Sequence, residues 1–129
     1  MSKLKTVLIV DDSPALLDDL SGAFEDAGYM VGTAADGEEA FKKLSSLEPE
    51  ALLLDVYLPR LDGAHVCRLV KAHPHWKRTF LAIMSARISE REVEQYRRLG
   101  ADVVLRKPFE ARVALETVRS AIGPPTATP

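Results

Sequence analysis

Two hydrophobic rhythms alternate along this chain: short unbroken apolar runs, and longer stretches with apolar residues three and four positions apart. Thr6–Val10, Ala51–Leu54, Thr79–Met84 and Asp102–Leu105 belong to the first kind. They are rich in Val, Ile and Leu and end at polar residues, so they read as strands buried on both faces. Tyr29–Ala34 is a weaker strand, interrupted by Gly32. Between the runs lie helical patterns with recognisable ends. Ser13 is an N-cap with Pro14 at the first helical position, Leu16, Leu17, Leu20, Ala23, Phe24 and Ala27 form a stripe, and Gly28 is the stop. Asp36 and Glu39 have capping-box spacing before Ala40, Phe41, Leu44 and Leu47, and Pro49 closes that helix. Asp62-Gly63 opens a third helix with Val66, Leu69 and Val70 predicted inward, ending at His73-Pro74-His75-Trp76. Ser89 and Glu92 form a capping box for a fourth, with Val93, Tyr96 and Leu99 as its apolar side and Gly100 at its end. The fifth runs from about Glu110 to Ile122 and buries Leu115, Val118 and Ile122. Five strand–helix alternations without a hairpin signal predict an α/β domain: a doubly wound, five-stranded parallel sheet with helices on both faces.

A length of 129 residues with 47% apolar content suits one core, so a single domain over residues 1–123 is expected. Residues 124–129, Pro/Thr-rich, are expected neither to pack nor to continue the helix, and to be a tail or linker remnant. A formal charge of -2 with interspersed signs offers no footprint for nucleic acid or an anionic membrane. No run approaches a membrane span, and the apolar run after Lys5 is too short for a signal-peptide core, so a cytoplasmic location is expected. Cys67, the single cysteine, lies at helical spacing beside Val66, Leu69 and Val70 and reads as a small core residue, not a nucleophile.

The candidate chemistry lies where the strands end. In parallel sheets ligands gather at the carboxyl ends of the strands, near the point where strand order reverses. Asp11 and Asp12 follow strand one, Asp55 strand three, Ser85 strand four and Lys107 strand five. Asp55, at the end of a core strand, has no partner in its own stretch and asks for a cation or a chemical role. Three converging carboxylates call for a hard divalent ion, and carboxylates with carbonyls and water suit Mg²⁺. Lys107 and Ser85 suit phosphoryl oxygens, so the set reads as a phosphoryl-transfer site. Any one of these residues alone has a plainer reading as a helix-start acid, a turn residue or a solvated strand end; their joint placement favours the site. His65, His73 and His75 show no metal-ligand spacing, and Trp76 reads as a half-exposed packing residue. The run Ser89–Arg98 reads as a solvated helix face or a partner surface.

Asp11-Asp12, then Asp55-Val56-Tyr57-Leu58-Pro59-Arg60-Leu61-Asp62-Gly63, Ser85 and Lys107-Pro108-Phe109 occur in that order and at spacings that resemble the receiver domain of two-component response regulators, from about Leu4 to Ile122. The resemblance implies a (βα)5 flavodoxin-like fold and a phosphoprotein switch, not a metabolic enzyme, although a receiver catalyses its own phosphorylation and dephosphorylation. It implies Asp55 as phosphoacceptor from a phosphohistidine, and Mg²⁺ held by Asp11, Asp12, Asp55 and the backbone carbonyl of Tyr57. It further implies Lys107 on the phosphoryl oxygens and Ser85 as the hydroxyl that moves to them. The implied partners are a histidine kinase or phosphotransfer protein and a downstream protein or output domain, with phosphorylation-dependent homodimerisation open. A cis bond before Pro108 is also implied.

The sequence departs from the pattern in two ways. Val104 stands where the family usually has an inward-turning Tyr or Phe, which predicts a muted or rerouted response on the face of helix four, strand five and helix five. Tyr57 and Arg87 are bulky at positions flanking the pocket, and slow loss of the phosphoryl group is expected. Two rivals stay open: a receiver-shaped adaptor that is not phosphorylated, and a small Mg²⁺-dependent phosphatase. The phosphatase lacks a general acid two residues after Asp55, where Tyr57 stands.

Overall fold

The computed structural model describes residues 4–126. In chain order the elements are β1 (Thr6–Val10), α1 (Pro14–Asp26), β2 (Met30–Ala34), α2 (Gly37–Leu47), β3 (Ala51–Asp55), α3 (Gly63–Ala72), β4 (Phe80–Ser85), α4 (Glu90–Arg98), β5 (Val103–Arg106) and α5 (Ala111–Ile122). The strands pair in parallel in the order β2-β1-β3-β4-β5. From β1 the chain first steps outward to β2 and then back across to β3. With right-handed crossovers this reversal puts α1 and α5 on one face and α2, α3 and α4 on the other.

Strand residues alternate between two cores. Val7, Ile9, Leu53, Ala82, Met84 and Leu105 face α1 and α5, where they meet Leu20, Phe24, Ala114 and Val118. Leu8, Val10, Leu52, Leu54, Leu81 and Ile83 face the other three helices and meet Leu44, Val66, Val70 and Val93. The local signals act as read. Ser13 Oγ accepts the Leu16 N–H, Asp36 the Glu39 N–H, and Ser89 and Glu92 complete a reciprocal box. Cys67 is fully buried, and burial pushes its thiol up to about 11, which keeps it a core residue.

Three expectations are corrected. Leu69, predicted to face inward on α3, is 39% exposed, because Gly63, Val66, Cys67 and Val70 already fill the stripe toward the sheet. Tyr29 lies outside β2; its ring packs edge-on to Phe24 and its hydroxyl donates to the Gly123 carbonyl at 2.5 Å. The stretch after Gly123 does pack where it is described. The Pro125 carbonyl accepts the Lys5 N–H at 2.8 Å, and the Pro125 ring lies where a side chain on Gly28 (φ +101°) would stand. Residues 127–129 of that stretch lie outside the described residues. Among the described residues no helix is long and apolar enough to cross a membrane.

Candidate functional site

The reversal of strand order falls between β1 and β3, and the crevice there opens at the carboxyl ends of both strands. β1 ends directly before Asp11, whose N–H bonds to the Ala34 carbonyl at 3.0 Å, so the backbone there is fixed by the edge of β2. Asp11 is fully buried, and its Oδ1 accepts the Ser13 N–H at 2.9 Å, which joins the site to the start of α1. Asp55 is the last residue of β3; its Oδ1 accepts the Tyr57 N–H at 2.8 Å. β5 delivers Lys107 into the same crevice, through a backbone bond from the Lys107 N–H to the Ser85 carbonyl at 2.8 Å. The Lys107–Pro108 peptide is cis, as the motif implies.

The ammonium of Lys107 donates to Asp11 Oδ2 at 2.6 Å and to Asp55 Oδ2 at 2.9 Å. Asp55 is therefore not the unpaired carboxylate its own stretch suggested, because its partner arrives from the far end of the chain. Burial opposes the charge on Lys107, but the hydrogen bonds and charges of Asp11 and Asp55 outweigh it and raise its pKa above the usual 10.5. Asp12 is exposed, yet a carboxylate oxygen of each of Asp11, Asp12 and Asp55 lies within 4.8 Å of the others. One ammonium against three carboxylates leaves two formal negative charges at the mouth, the charge that a divalent cation offsets. The donor set is all oxygen, with no Cys or His in the cluster, which suits a hard ion. These acids can hold a metal.

Ser85 is buried at the end of β4, and its Oγ accepts the Arg87 N–H at 3.2 Å, leaving its own proton available to donate. Val104 is half-buried and packs into the core beneath α4, next to the strand partner Ile83. Tyr57 is 55% exposed, and its hydroxyl donates to Glu92 Oε2 at 3.1 Å. That bond, ahead of the Glu92 charge, raises the Tyr57 pKa. The Ser89 N–H, ahead of the hydroxyls of Ser89 and Tyr57, lowers that of Glu92. Arg106, which sequence reasoning passed over, donates to the Ile88 carbonyl at 2.6 Å and to Glu90 Oε1 at 2.5 Å. Glu92 announced itself in the sequence only as a capping residue, and nothing in the pattern pairs it with Tyr57. Of the predicted site residues, the structure brings Asp11, Asp12, Asp55 and Lys107 into direct apposition; Ser85 adjoins Lys107 through a backbone bond, and the N–H groups of Tyr57 and Arg87 donate to Asp55 and Ser85.

Comparison with known proteins agrees with this geometry. Residues 7–119 match the family described as response regulator receiver domain. The chain is 38% identical over 128 residues to the alkaline phosphatase synthesis transcriptional regulatory protein PhoP of Bacillus subtilis, covering 95% of this chain and 52% of that protein. It thus spans about half the length of the curated relatives it matches. Among solved structures, chemotaxis response regulator CheY4 of Vibrio cholerae superposes with a TM-score of 0.84 at 30% identity, over 92% of this chain and 99% of that one. The receiver domain of sensor histidine kinase PA1611 from Pseudomonas aeruginosa, solved with magnesium coordinated in its active-site cleft, superposes with a TM-score of 0.81 at 26% identity, over 94% and 99% of the two chains. The five-stranded parallel sheet, the acid cluster and lysine at its carboxyl edge, and these matches identify the chain as a signalling switch: it belongs to the response regulator receiver domain family.

Proposed function

We propose that this receiver accepts a phosphoryl group on Asp55 from a phosphohistidine of a histidine kinase or phosphotransfer protein, with Mg²⁺ held by Asp11, Asp12, Asp55 and the Tyr57 carbonyl. The observation that carries this reading is the Lys107 ammonium bridging Asp11 and Asp55 at 2.6 and 2.9 Å, beside the exposed Asp12. That arrangement sets a cation against one oxygen of the carboxylate that acts as nucleophile. An oxygen of Asp55 attacks phosphorus, the new P–O bond forms as the P–N bond to the donor imidazole breaks, and the imidazole nitrogen keeps the electron pair and takes up a proton. Lys107, already at the nucleophile, then neutralises phosphoryl oxygens, and the Ser85 hydroxyl donates to one of them. Bound Mg²⁺ supplies further charge neutralisation at those oxygens, and the acid cluster's residual charge matches it. The magnesium bound in the cleft of the PA1611 receiver supports this choice of ion. A cytoplasmic setting and a downstream protein or output domain fit the same reading.

Intact-protein mass after incubation with acetyl phosphate tests it. A Mg²⁺-dependent phosphoryl adduct is expected, absent with chelator and absent in Asp55→Asn. No adduct on a folded chain would replace this reading with the unphosphorylated adaptor.

Once formed, the acyl phosphate is expected to be long-lived, because Tyr57 and Arg87 are bulky residues two positions after Asp55 and Ser85 and can obstruct the attacking water. Tyr57→Ala should shorten its lifetime about tenfold, which corresponds to about 1.4 kcal/mol of barrier. Loss of phosphate at an unchanged rate would remove Tyr57 from that role.

A further inference from the structure

We propose that the state of Asp55 is transmitted to α4 through two tethers, the Tyr57–Glu92 hydrogen bond and the Arg106 contacts with Ile88 and Glu90. This route replaces the aromatic that Val104 lacks. Each tether begins next to a residue that holds the phosphoacceptor. Tyr57 gives its N–H to Asp55 Oδ1 and its hydroxyl to Glu92, so one residue spans the pocket and the first turn of α4. Arg106 adjoins Lys107, whose ammonium is on Asp55 Oδ2, and the Arg106 guanidinium holds the β4–α4 connection at Ile88 and the helix start at Glu90. A change at either oxygen of Asp55 is thus one residue away from a contact on α4.

The receiving element is built to move. Val93 is the one buried side chain of the nine-residue α4; Glu92 and Tyr96 are half-buried and the other six residues are exposed and polar. A helix with so small a core anchor belongs to the low-stability end of a fold. The Tyr57–Glu92 and Arg106–Glu90 bonds are exposed and the Arg106–Ile88 bond is only partly buried, so each adds little to stability and can be exchanged for solvent at small cost. That suits a coupling and not a brace. Glu92 also closes the capping box by accepting the Ser89 N–H on Oε1 at 3.1 Å, so displacing Tyr57 disturbs the residue that starts the helix. Val104, β-branched and packed beneath α4, has no ring to swing and holds its place.

The inference rests on Asp55 being the group that changes state, and its test has one arm that does not need phosphorylation. Hydrogen exchange of the α4 amides, Glu90 to Arg98, is followed in the full chain under two perturbations of Asp55: the Asp55→Asn substitution, and acetyl phosphate with Mg²⁺. Both should alter α4 exchange, by about twofold to fivefold, the scale of one net hydrogen bond. The response should vanish in a Tyr57→Phe, Arg106→Met background, which removes the tethers and leaves the Tyr57 backbone in place. It should persist in Ser89→Ala, which breaks the cap but not the tethers. A response of equal size without the tethers, or one larger in β5 and α5 than in α4, overturns the proposal. If mass shows no adduct, the phosphoacceptor reading fails, and the Asp55→Asn arm still decides the tethers by the coupling between distant substitutions.

Discussion

Replacing Lys107 with methionine is expected to lower the stability of the metal-free protein by about 2–4 kcal/mol and to abolish acceptance of a phosphoryl group. The ammonium lies at 2.6 Å from Asp11, which is fully buried, and at 2.9 Å from Asp55, which is 6% exposed. Methionine keeps the length and the apolar stem but leaves two buried carboxylates facing each other and Asp12 with no cation among them. The expected loss is toward the lower part of the range for breaking a buried pair, because the Lys107 side chain keeps 21% of its surface in water. A divalent cation should then stabilise the variant more than the native chain, since it restores charge that the native chain already has in part. Thermal unfolding in chelator and in Mg²⁺ measures both effects. A variant as stable as the native chain in chelator would mean that the three acids do not need the lysine.

The same contact sets a pH dependence of definite sign. The folded-state pKa of Lys107 is raised above 10.5, so its stabilisation is fully present below the unfolded-state value and is lost as pH rises through the folded one. In chelator, the stability gap between native and Lys107→Met should be flat through neutral pH and narrow only in strongly alkaline solution. A gap that closes between pH 5 and 8 would assign the effect to some other group.

The sheet and its helices were legible because their determinants are local: the apolar runs, the Ser13-Pro14 start, the Ser89/Glu92 box, the Gly28 stop. The acids, Ser85 and Lys107 were legible as one site because a parallel sheet brings strand ends together whatever the side chains do. What the sequence hides is pairing across long separations. Asp55 appears partnerless within its stretch, and only the fold brings Lys107 to it from 52 positions away. Glu92 looks fully employed as a cap, yet a carboxylate has two oxygens, and the second reaches Tyr57. Leu69 misled because helical spacing alone does not say where a stripe stops when Cys67 and Gly63 share it. The Pro-rich stretch misled because proline forbids donation but not acceptance, and the Pro125 carbonyl finds the Lys5 N–H.

Asp12→Asn should weaken Mg²⁺ binding by about 100-fold while slightly stabilising the metal-free protein, and the contrast between the two effects separates a metal ligand from a structural acid. Loss of a group that only supports a ligand costs about 10–100-fold in affinity, so loss of a charged ligand belongs at or beyond the upper end. Asp12 is the member of the cluster that Lys107 does not reach, and it is exposed. Without metal its charge only repels Asp11 and Asp55, so neutralising it should add about 0.5 kcal/mol, the scale of an exposed charge interaction. Asp55→Asn behaves differently, because it relieves repulsion but also takes the negative partner from Lys107; these oppose, and the metal-free stability should change little. Calorimetric titration with Mg²⁺ and unfolding in chelator, on both variants, give the comparison. If Asp12→Asn bound Mg²⁺ as tightly as the native chain, the ion would sit elsewhere. If it were instead markedly destabilised, Asp12 would have to hold a positive partner that the described residues do not offer it, and the charge balance argued for the cluster would be wrong at its exposed corner.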